Sequence, residues 1–248
     1  MSILLKILKA LLIVVLTVLA AFAVYAVLMF FAGTGAHRSK AIDRQSAFAR
    51  AMCVVTALIA TTIMGVKMHM TGEDKLPKSG RFVFVCNHRS GFDPLSVIRY
   101  LRKYNISFIS KPSNMELPLI GNVAYRAGYL PINRENDRAA LRTILTGVDY
   151  LKRGVCSMGI YPEGTRSHTC ELLPFHAGSF KLAQKAKVPL VIASTHGTEN
   201  VMKSGPFRRT DVYLDILEVL PPEKLATMST AEISAHTKGL IESKLKEE

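Results

Sequence analysis

Apolar residues dominate the start of the chain. Ala10–Gly33 is an almost unbroken apolar run, and a helix of that length can cross the hydrocarbon core of a bilayer. A second apolar segment, Ala51–Val66, is short for a perpendicular span and predicts an interfacial or re-entrant helix, or a helix buried in the folded domain. Thr71–Gly80 has the composition of a linker. The pattern therefore predicts a membrane anchor over residues 1–70 and a folded domain over residues 71–248.

A cleaved secretory signal is the competing interpretation of this N-terminus. Lys6 and Lys9 form a basic start, and small residues follow the apolar run at positions 32–36. However, the run is longer than the ~7–15 apolar residues of a usual signal, and a second apolar segment follows it. We therefore expect a retained membrane-associated helix.

Beyond residue 80 the apolar positions alternate between strand and helix periods. The clearest helix is Asp137–Arg153, with one apolar face and Gly154 at its end. Ser229 and Glu232 have the spacing of a capping box that opens a C-terminal helix. The alternation predicts an α/β domain: a mixed, largely parallel sheet flanked by helices, behind an N-terminal membrane-associated helical segment. The predicted strands are 82–86, 106–110, 129–132, 157–161, 190–194 and 212–220, and the other predicted helices are 94–104, 120–127 and 179–187.

The chain is strongly basic, with a net charge of +13 and a pI near 9.7. Such a balance predicts a polyanionic partner, which can be nucleic acid, anionic lipid or a phosphorylated substrate. No helix-turn-helix, zinc-finger or RNA-binding pattern accompanies the charge. Together with the apolar segments, it favours an anionic membrane surface over nucleic acid.

The four cysteines do not suggest a disulfide framework or a zinc site, because none belongs to a C-x-x-C pair. His168, Cys170 and His176 lie close together in the sequence, but their spacing matches no standard metal pattern. We therefore expect no metal site.

Two short motifs carry the candidate chemistry. The first, Asn87–Asp93, follows a predicted strand and separates His88 from Asp93 by five positions. A histidine can take a proton from an alcohol near neutral pH, because an imidazole ordinarily titrates at about pH 6.5. A carboxylate improves such a base by fixing its tautomer and stabilising the imidazolium. The plain alternative is that Asp93 only caps the helix that Pro94 opens.

The second motif, Tyr161–Arg166, follows another predicted strand. Gly164 lets the backbone approach a ligand closely, the Thr165 hydroxyl can donate to oxygen, and Arg166 can bind phosphate through two parallel hydrogen bonds. Glu163 is better suited to orient Arg166 or the backbone than to act as a second base. The alternative is an ordinary strand-to-loop turn with a solvated ion pair.

The two motifs resemble the signature of the glycerophospholipid acyltransferases. The resemblance covers most of residues 82–192 and includes further segments in the order of the family: Lys111–Gly121, Leu130–Arg134, Pro174–Phe180 and Val188–Ile192. The last of these lacks the second proline usual in the family, which is a departure within a packing strand. The matching order along a strand–helix frame makes the resemblance specific, although each segment alone is weak.

The resemblance implies that residues 71–248 form an acyltransferase domain. In this family His88 would be the general base for a glycerol hydroxyl, and Asp93 would orient it. Arg134, Arg166 and Lys111 would hold a phosphate, although Lys111 has an ordinary alternative as a surface lysine. The expected substrate-binding set is Asn87, Lys111, Asn133, Arg134, Glu163, Gly164, Thr165 and Arg166.

The reaction implied by the resemblance is acylation of the sn-2 hydroxyl of 1-acyl-sn-glycerol-3-phosphate (lysophosphatidic acid), which makes phosphatidic acid in phospholipid biosynthesis. The acyl donor would be acyl-CoA or acyl carrier protein, with no cofactor. Because these donors are cytosolic, the domain would face the cytoplasm. If the first apolar segment alone spans the membrane, the basic stretch Arg38–Arg50 is cytoplasmic too, as the positive-inside tendency favours.

Several alternatives stay open. The acceptor could be another lysophospholipid or lyso-lipid, since the family shares its motifs across acceptors. A membrane-bound lipid hydrolase could use Ser90 as a nucleophile, although no G-x-S-x-G elbow is present. A lipid-binding protein without activity is the non-enzymatic alternative.

Overall fold

The computed structural model describes residues 3–38, 40–167 and 169–247. His168, one of the three neighbouring histidine and cysteine residues considered as metal ligands, lies outside these ranges. The strands are β1 (Val66–Thr71), β2 (Val83–Val85), β3 (Ile106–Ser110), β4 (Leu130–Pro131), β5 (Ser157–Ile160), β6 (Leu190–His196) and β7 (Thr210–Leu220). The helices are α1 (Ile3–Gly33), α2 (Ala47–Ile63), α3 (Phe92–Tyr100), α4 (Pro112–Glu116), α5 (Ile120–Arg126), α6 (Asp137–Lys152), α7 (Lys181–Ala186), α8 (Val201–Ser204), α9 (Pro222–Ala226) and α10 (Thr230–Lys246).

The strands form one sheet in the order β1-β7-β6-β2-β5-β3-β4. All neighbouring pairs are parallel except β6 and β7, which are antiparallel. This confirms the predicted mixed, largely parallel sheet flanked by helices. Strands β2 to β6 all end at one edge, which is also the edge where β1 and β7 begin. We call it the site edge, because the chain segments that follow these strands carry the candidate residues.

Every strand and helix predicted after residue 80 is present, with ends that differ by a few residues. The capping box at Ser229 and Glu232 is also confirmed, with both of its hydrogen bonds formed. Strand β1 was not predicted. It pairs in parallel along its whole length with the start of β7, from Val66 opposite Thr210 to Thr71 opposite Asp215. The predicted domain boundary at residues 70–71 therefore falls at the end of a strand of the sheet, and it stays a prediction.

Two apolar cores cover the two faces of the sheet. One lies between the sheet and α6, α7 and α10, and includes Ile144, Leu182 and Ile233. The other lies between the sheet and α3, and includes Phe84 and Leu101. The alternate residues of β2 divide between the cores, which is why this central strand is apolar throughout.

Helices α1 and α2 flank the α3 side of the domain. Among the described residues α1 is the helix that is long and apolar enough to cross a membrane, and its most apolar stretch is not buried. Helix α2 packs on α3 and α5. Its inner face is buried at Ala49, Met52 and Ala57, while Ile59 and Ile63 are exposed. The second apolar segment is thus neither free nor enclosed by the core, because one face packs on the domain and the other remains uncovered.

Candidate active site

His88 and Asp93 form a hydrogen-bonded pair at the site edge. The His88 Nδ1 atom lies 2.7 Å from Asp93 Oδ2. The side chain of Asp93 is 1% exposed, whereas that of His88 is 18% exposed, so the imidazole is the solvent-facing member of the pair. The bond to Nδ1 leaves Nε2 as the atom available to accept a proton. A buried carboxylate behind a partly exposed imidazole is the arrangement that supports a general base.

The carboxylate of Asp93 holds the turn that precedes α3. Its Oδ2 atom also accepts hydrogen bonds from the backbone N–H groups of Arg89 and Ser90, at 2.7 and 2.8 Å. Its Oδ1 atom accepts from the hydroxyl of Thr198, in the turn after β6. The alternative in which Asp93 caps the helix is wrong. Helix α3 begins at Phe92 with Gly91 as its cap residue, and the carboxylate accepts from N–H groups that precede the helix.

Glu163 connects the second motif to the first. Its Oε1 atom accepts from the backbone N–H of His88 at 2.5 Å, and its Oε2 atom accepts from that of Leu173 at 3.0 Å. The backbone N–H of Ser167 in turn donates to the carbonyl of His88 at 2.8 Å. Burial raises the pKa of Glu163, and the two N–H donors partly oppose that effect. Glu163 thus orients the backbone that carries the imidazole.

An aromatic side chain fixes the plane of the imidazole. The rings of His88 and Tyr161 stack with centroids 4.2 Å apart and an interplanar angle of 17°. Tyr161 stacks in turn on Phe108, at 5.4 Å and 7°. Burial raises the pKa of the Tyr161 hydroxyl well above its usual value, so the ring stays neutral beside the base. Sequence reasoning missed this role, and its signal was an aromatic residue at the end of a buried strand.

Two arginines of the predicted phosphate site lie beside glycines of the two motifs. Gly164 has φ +77°, and a Cβ atom there would lie 3.1 Å from Arg134 Nε and 3.1 Å from His176 Nε2. A Cβ at Gly91 would lie 4.0 Å from Arg166 Nη1, so Arg166 extends back over the first motif. At Gly164 the missing side chain therefore lets Arg134 and His176 approach the second motif closely, whereas the 4.0 Å contact at Gly91 is an ordinary one. Partial burial of the guanidinium lowers the pKa of Arg134.

A cavity of about 410 Å³ opens beside the second motif. Its apolar wall comes from β5, α6 and the segment that follows β4. Its polar wall includes two cations, Arg134 and Lys181, together with His176 and one carboxylate, Asp137. Tyr161 and Gly164 also line it, which places the cavity next to the ring that stacks on His88. A cavity with an apolar side and a basic side suits an amphiphilic, anionic ligand.

The other predicted residues occupy different environments. Asn87 is 1% exposed, and its amide group exchanges two hydrogen bonds of 2.8 Å with the backbone of Thr195 on β6. This gives Asn87 a positioning role, and substrate contact by it stays a prediction. Lys111, Asn133 and Thr165 are exposed at the site edge, and their contact with substrate stays a prediction. Asn133 accepts a hydrogen bond from the N–H of Glu135, which closes a local turn.

Ser90 is not arranged as a nucleophile. The residue is 7% exposed, and its hydroxyl oxygen accepts a hydrogen bond from the N–H of Phe92 at 3.2 Å. The hydrogen bond of the His88 ring runs from Nδ1 to Asp93 rather than to this serine. The geometry therefore favours a base that acts directly on a bound hydroxyl group.

Comparison with known proteins agrees with this geometry. A family model described as Acyltransferase matches residues 67–194, which is about half of the chain. The chain is 34% identical over 171 residues to a 1-acyl-sn-glycerol-3-phosphate acyltransferase of Chlamydomonas reinhardtii. That match covers 67% of this chain and 51% of the algal protein, so the chain spans about half of the length of that relative.

Bacterial proteins match over a larger share of their length. The 1-acyl-sn-glycerol-3-phosphate acyltransferase of Escherichia coli is 28% identical over 188 residues, which is 75% of each chain. Among solved structures, the 1-acyl-sn-glycerophosphate acyltransferase PlsC of Thermotoga maritima superposes with a TM-score of 0.66. That superposition covers 91% of this chain and 95% of the other at 22% identity, and it confirms the fold.

Proposed function

This chain belongs to the acyltransferase family, and we propose that it transfers a fatty acyl group to the sn-2 hydroxyl of 1-acyl-sn-glycerol-3-phosphate. The product would be phosphatidic acid, an intermediate of phospholipid biosynthesis. The observation that carries the proposal is the pair formed by His88 and Asp93 at 2.7 Å, with the carboxylate buried and the imidazole partly exposed. The names of the relatives described above support the choice of acceptor.

In the proposed reaction His88 acts through its Nε2 atom. Nε2 accepts the proton of the acceptor hydroxyl as the hydroxyl oxygen attacks the thioester carbonyl carbon. A C–O bond forms, the C–S bond breaks, and the proton passes from His88 to the departing thiolate. Asp93 keeps Nδ1–H bonded and stabilises the imidazolium while the proton resides on the ring. The activated acyl group arrives as a thioester, so we propose no metal, no cofactor and no acyl-enzyme.

The phosphate of the acceptor would bind to Arg134 and Arg166, with Lys111 as a third cation. Arg134 lies against Gly164 of the second motif, and Arg166 lies near Gly91 of the first. His88 is linked to both motifs through the bonds to Asp93 and Glu163. Two guanidinium groups can bind a dianionic phosphate through paired, charge-assisted hydrogen bonds. The acyl donor in this proposal is acyl-CoA or acyl carrier protein.

We place the enzyme on the membrane, with its catalytic domain facing the cytoplasm. Helix α1 is long and apolar enough to insert, and the thioester donors are cytosolic. The net charge of +13 complements an anionic lipid surface. Helix α2, which packs on the domain along one face, would remain on the same side as the catalytic residues.

The direct test is an acyl-transfer assay on membranes that contain the full chain. Lysophosphatidic acid would be compared with lysophosphatidylcholine, lysophosphatidylethanolamine and monoacylglycerol, each with acyl-CoA and with acyl carrier protein as donor. Faster turnover of lysophosphatidic acid than of the other acceptors supports the proposal. Preference for another lyso-lipid would show that the proposed acceptor is wrong. Release of free fatty acid without an acylated product would indicate a hydrolase instead. Membranes that contain the His88→Ala variant provide the background rate.

A further inference from the structure

A short segment at the site edge exposes two large apolar side chains. The Phe207 loop, defined as Met202–Arg209, follows β6 and leads into β7. Phe207 is 84% exposed and Met202 is 68% exposed. The backbone at Phe207 has φ 60°, a conformation that is uncommon for a bulky residue. Both the exposure and the backbone conformation therefore require an explanation.

The loop is fixed to the end of α2. The N–H of Phe207 donates to the carbonyl of Ile63 at 2.7 Å, and the N–H of Thr210 donates to that of Gly65 at 3.0 Å. The contact is close, because a Cβ atom at Gly65 would lie 2.1 Å from the carbonyl oxygen of Arg208. Phe207 therefore continues the uncovered apolar face of α2, which ends at Ile63 with 42% of that residue exposed.

The loop is also coupled to the catalytic turn. Val201, at the start of α8, is fully buried in a small cluster with Val66 and Val212. Phe92, which lies between His88 and Asp93 in the first motif, packs against that cluster. Because Val201 and Phe92 pack on the same cluster, the position of the Phe207 loop is coupled to the position of the turn that carries His88 and Asp93.

The N-terminal part of helix α1 extends beyond the folded domain near the Phe207 loop. It runs antiparallel to α2, with the Tyr25 hydroxyl 2.7 Å from Thr56 Oγ1. Continuing that register places Ile63 level with Val18, so Ile3–Thr17 extends about 23 Å beyond the end of α2 at 1.5 Å per residue. The apolar part of α1 therefore projects from the site edge beside Phe207.

Basic side chains surround the exposed apolar ones. Lys203, Arg208 and Arg209 are exposed in the same loop, and Arg209 is paired with Asp211. Apolar tips flanked by lysine and arginine suit the boundary between the acyl chains and the anionic head groups of a bilayer. We propose that the Phe207 loop inserts Phe207 and Met202 at that boundary of an anionic bilayer, next to α1, and holds the site edge against the lipid surface.

A single introduced tryptophan tests this insertion, because the chain contains none. The full-length Phe207→Trp variant is reconstituted into vesicles of phosphatidylglycerol and phosphatidylcholine, with and without brominated acyl chains. Leu145→Trp is the matched control, because Leu145 is a 45% exposed apolar residue of α6, on the opposite side of the sheet. The proposal predicts blue-shifted emission and strong bromine quenching for Phe207→Trp and neither effect for Leu145→Trp.

Two results would overturn the proposal. If brominated lipid quenches Phe207→Trp no more strongly than it quenches Leu145→Trp, and the emission of Phe207→Trp is not blue-shifted, then Phe207 does not enter the bilayer. A second result would be blue-shifted emission of Phe207→Trp that brominated lipid does not quench and whose shift increases with the ratio of protein to lipid. It would show that Phe207 packs against a second copy of the chain rather than against lipid. Met202→Trp is the second reporter and should be quenched as well. Because the measurement is optical, its failure leaves the proposed acyl transfer untouched, and a failed acyl-transfer assay leaves the insertion untouched.

Discussion

The hydroxyl of Thr198 donates a hydrogen bond to Asp93 Oδ1, the carboxylate oxygen that His88 does not use. Thr198 follows β6, whereas Asp93 lies in the first turn of α3, after β2. The carboxylate behind the imidazole is therefore held from two neighbouring strands, and both of its oxygens are occupied by donors. This fixes the direction in which Nδ1 of His88 must point, and with it the position of Nε2.

Removal of the Thr198 hydroxyl should impair catalysis without removing the base. In Thr198→Val the shape of the buried side chain is kept, but Oδ1 of Asp93 loses its donor. We expect kcat to fall by about tenfold, or roughly 1.4 kcal/mol, with a smaller change in KM. Steady-state kinetics of the purified variant measures both parameters.

Thr198→Ser is the matched control, since it restores the donor while losing a methyl group. A serine variant as slow as the valine variant would show that packing at this position, rather than the bond to Asp93, supports turnover.

Arg166 should discriminate between phosphorylated and unphosphorylated acceptors. Lysine cannot reproduce the paired hydrogen bonds of a guanidinium group to phosphate. We expect Arg166→Lys to lower kcat/KM for lysophosphatidic acid by at least about tenfold, or roughly 1.4 kcal/mol, and to change the KM for the acyl donor much less.

The comparison for this variant is a monoacylglycerol acceptor, which has no phosphate. Equal losses with both acceptors would mean that Arg166 supports the turn over Gly91, and the proposed phosphate site would then depend on Arg134 and Lys111. Arg134→Lys, which changes the arginine beside Gly164 of the second motif, serves as the parallel variant.

Asp211 should make the stability of the β1–β7 edge depend on acidic pH. Hydrogen bonds from Arg209 and then His69 lower the pKa of Asp211 from 3.8 to about 2. A carboxylate whose pKa is depressed on folding stabilises the protein above its unfolded pKa of about 4, and that contribution is lost as the pH falls towards 2. The stability that the parent gains over Asp211→Asn from this carboxylate should therefore decrease as the pH falls from about 5, and it should be lost only below about pH 2.

Denaturant unfolding in detergent, repeated across this pH range, measures the difference. Asp74→Asn corrects for the general effect of removing one surface charge. A difference that does not change with pH would contradict the assigned hydrogen bonds to Asp211.

The catalytic pair could be predicted because its residues are close in sequence and their chemistry depends on residue type. His88 and Asp93 lie in one short loop after an apolar strand, so the chain must bring them near each other whatever the rest of the fold does. Thr198 could not be predicted, because it lies 105 positions from Asp93 and reaches it only when β6 pairs with β2. The stack of Tyr161 on His88 likewise depends on the pairing of β2 with β5.

The missed strand has a similar explanation. Val66–Thr71 follows the apolar helix after only two residues and has no run of β-branched residues to mark it. Its hydrogen bonds come from β7, which is distant in sequence, and its start is fixed by the turn at Gly65 against Arg208. The error over capping by Asp93 has a local cause. The helix begins at Phe92, two residues earlier than Pro94 suggested, so the carboxylate accepts hydrogen bonds from the N–H groups that precede the helix.

The most direct measurement of the central claim is the turnover of His88→Ala with lysophosphatidic acid and a thioester donor. If Nε2 of His88 accepts the hydroxyl proton, kcat should fall by ~10²–10⁴-fold, while the far-ultraviolet circular dichroism and the thermal transition remain close to those of the parent. Asp93→Asn should also be severely impaired, because the asparagine amide cannot stabilise the imidazolium. A folded His88→Ala variant that keeps more than about a tenth of the parent rate would contradict the assignment of His88 as the base.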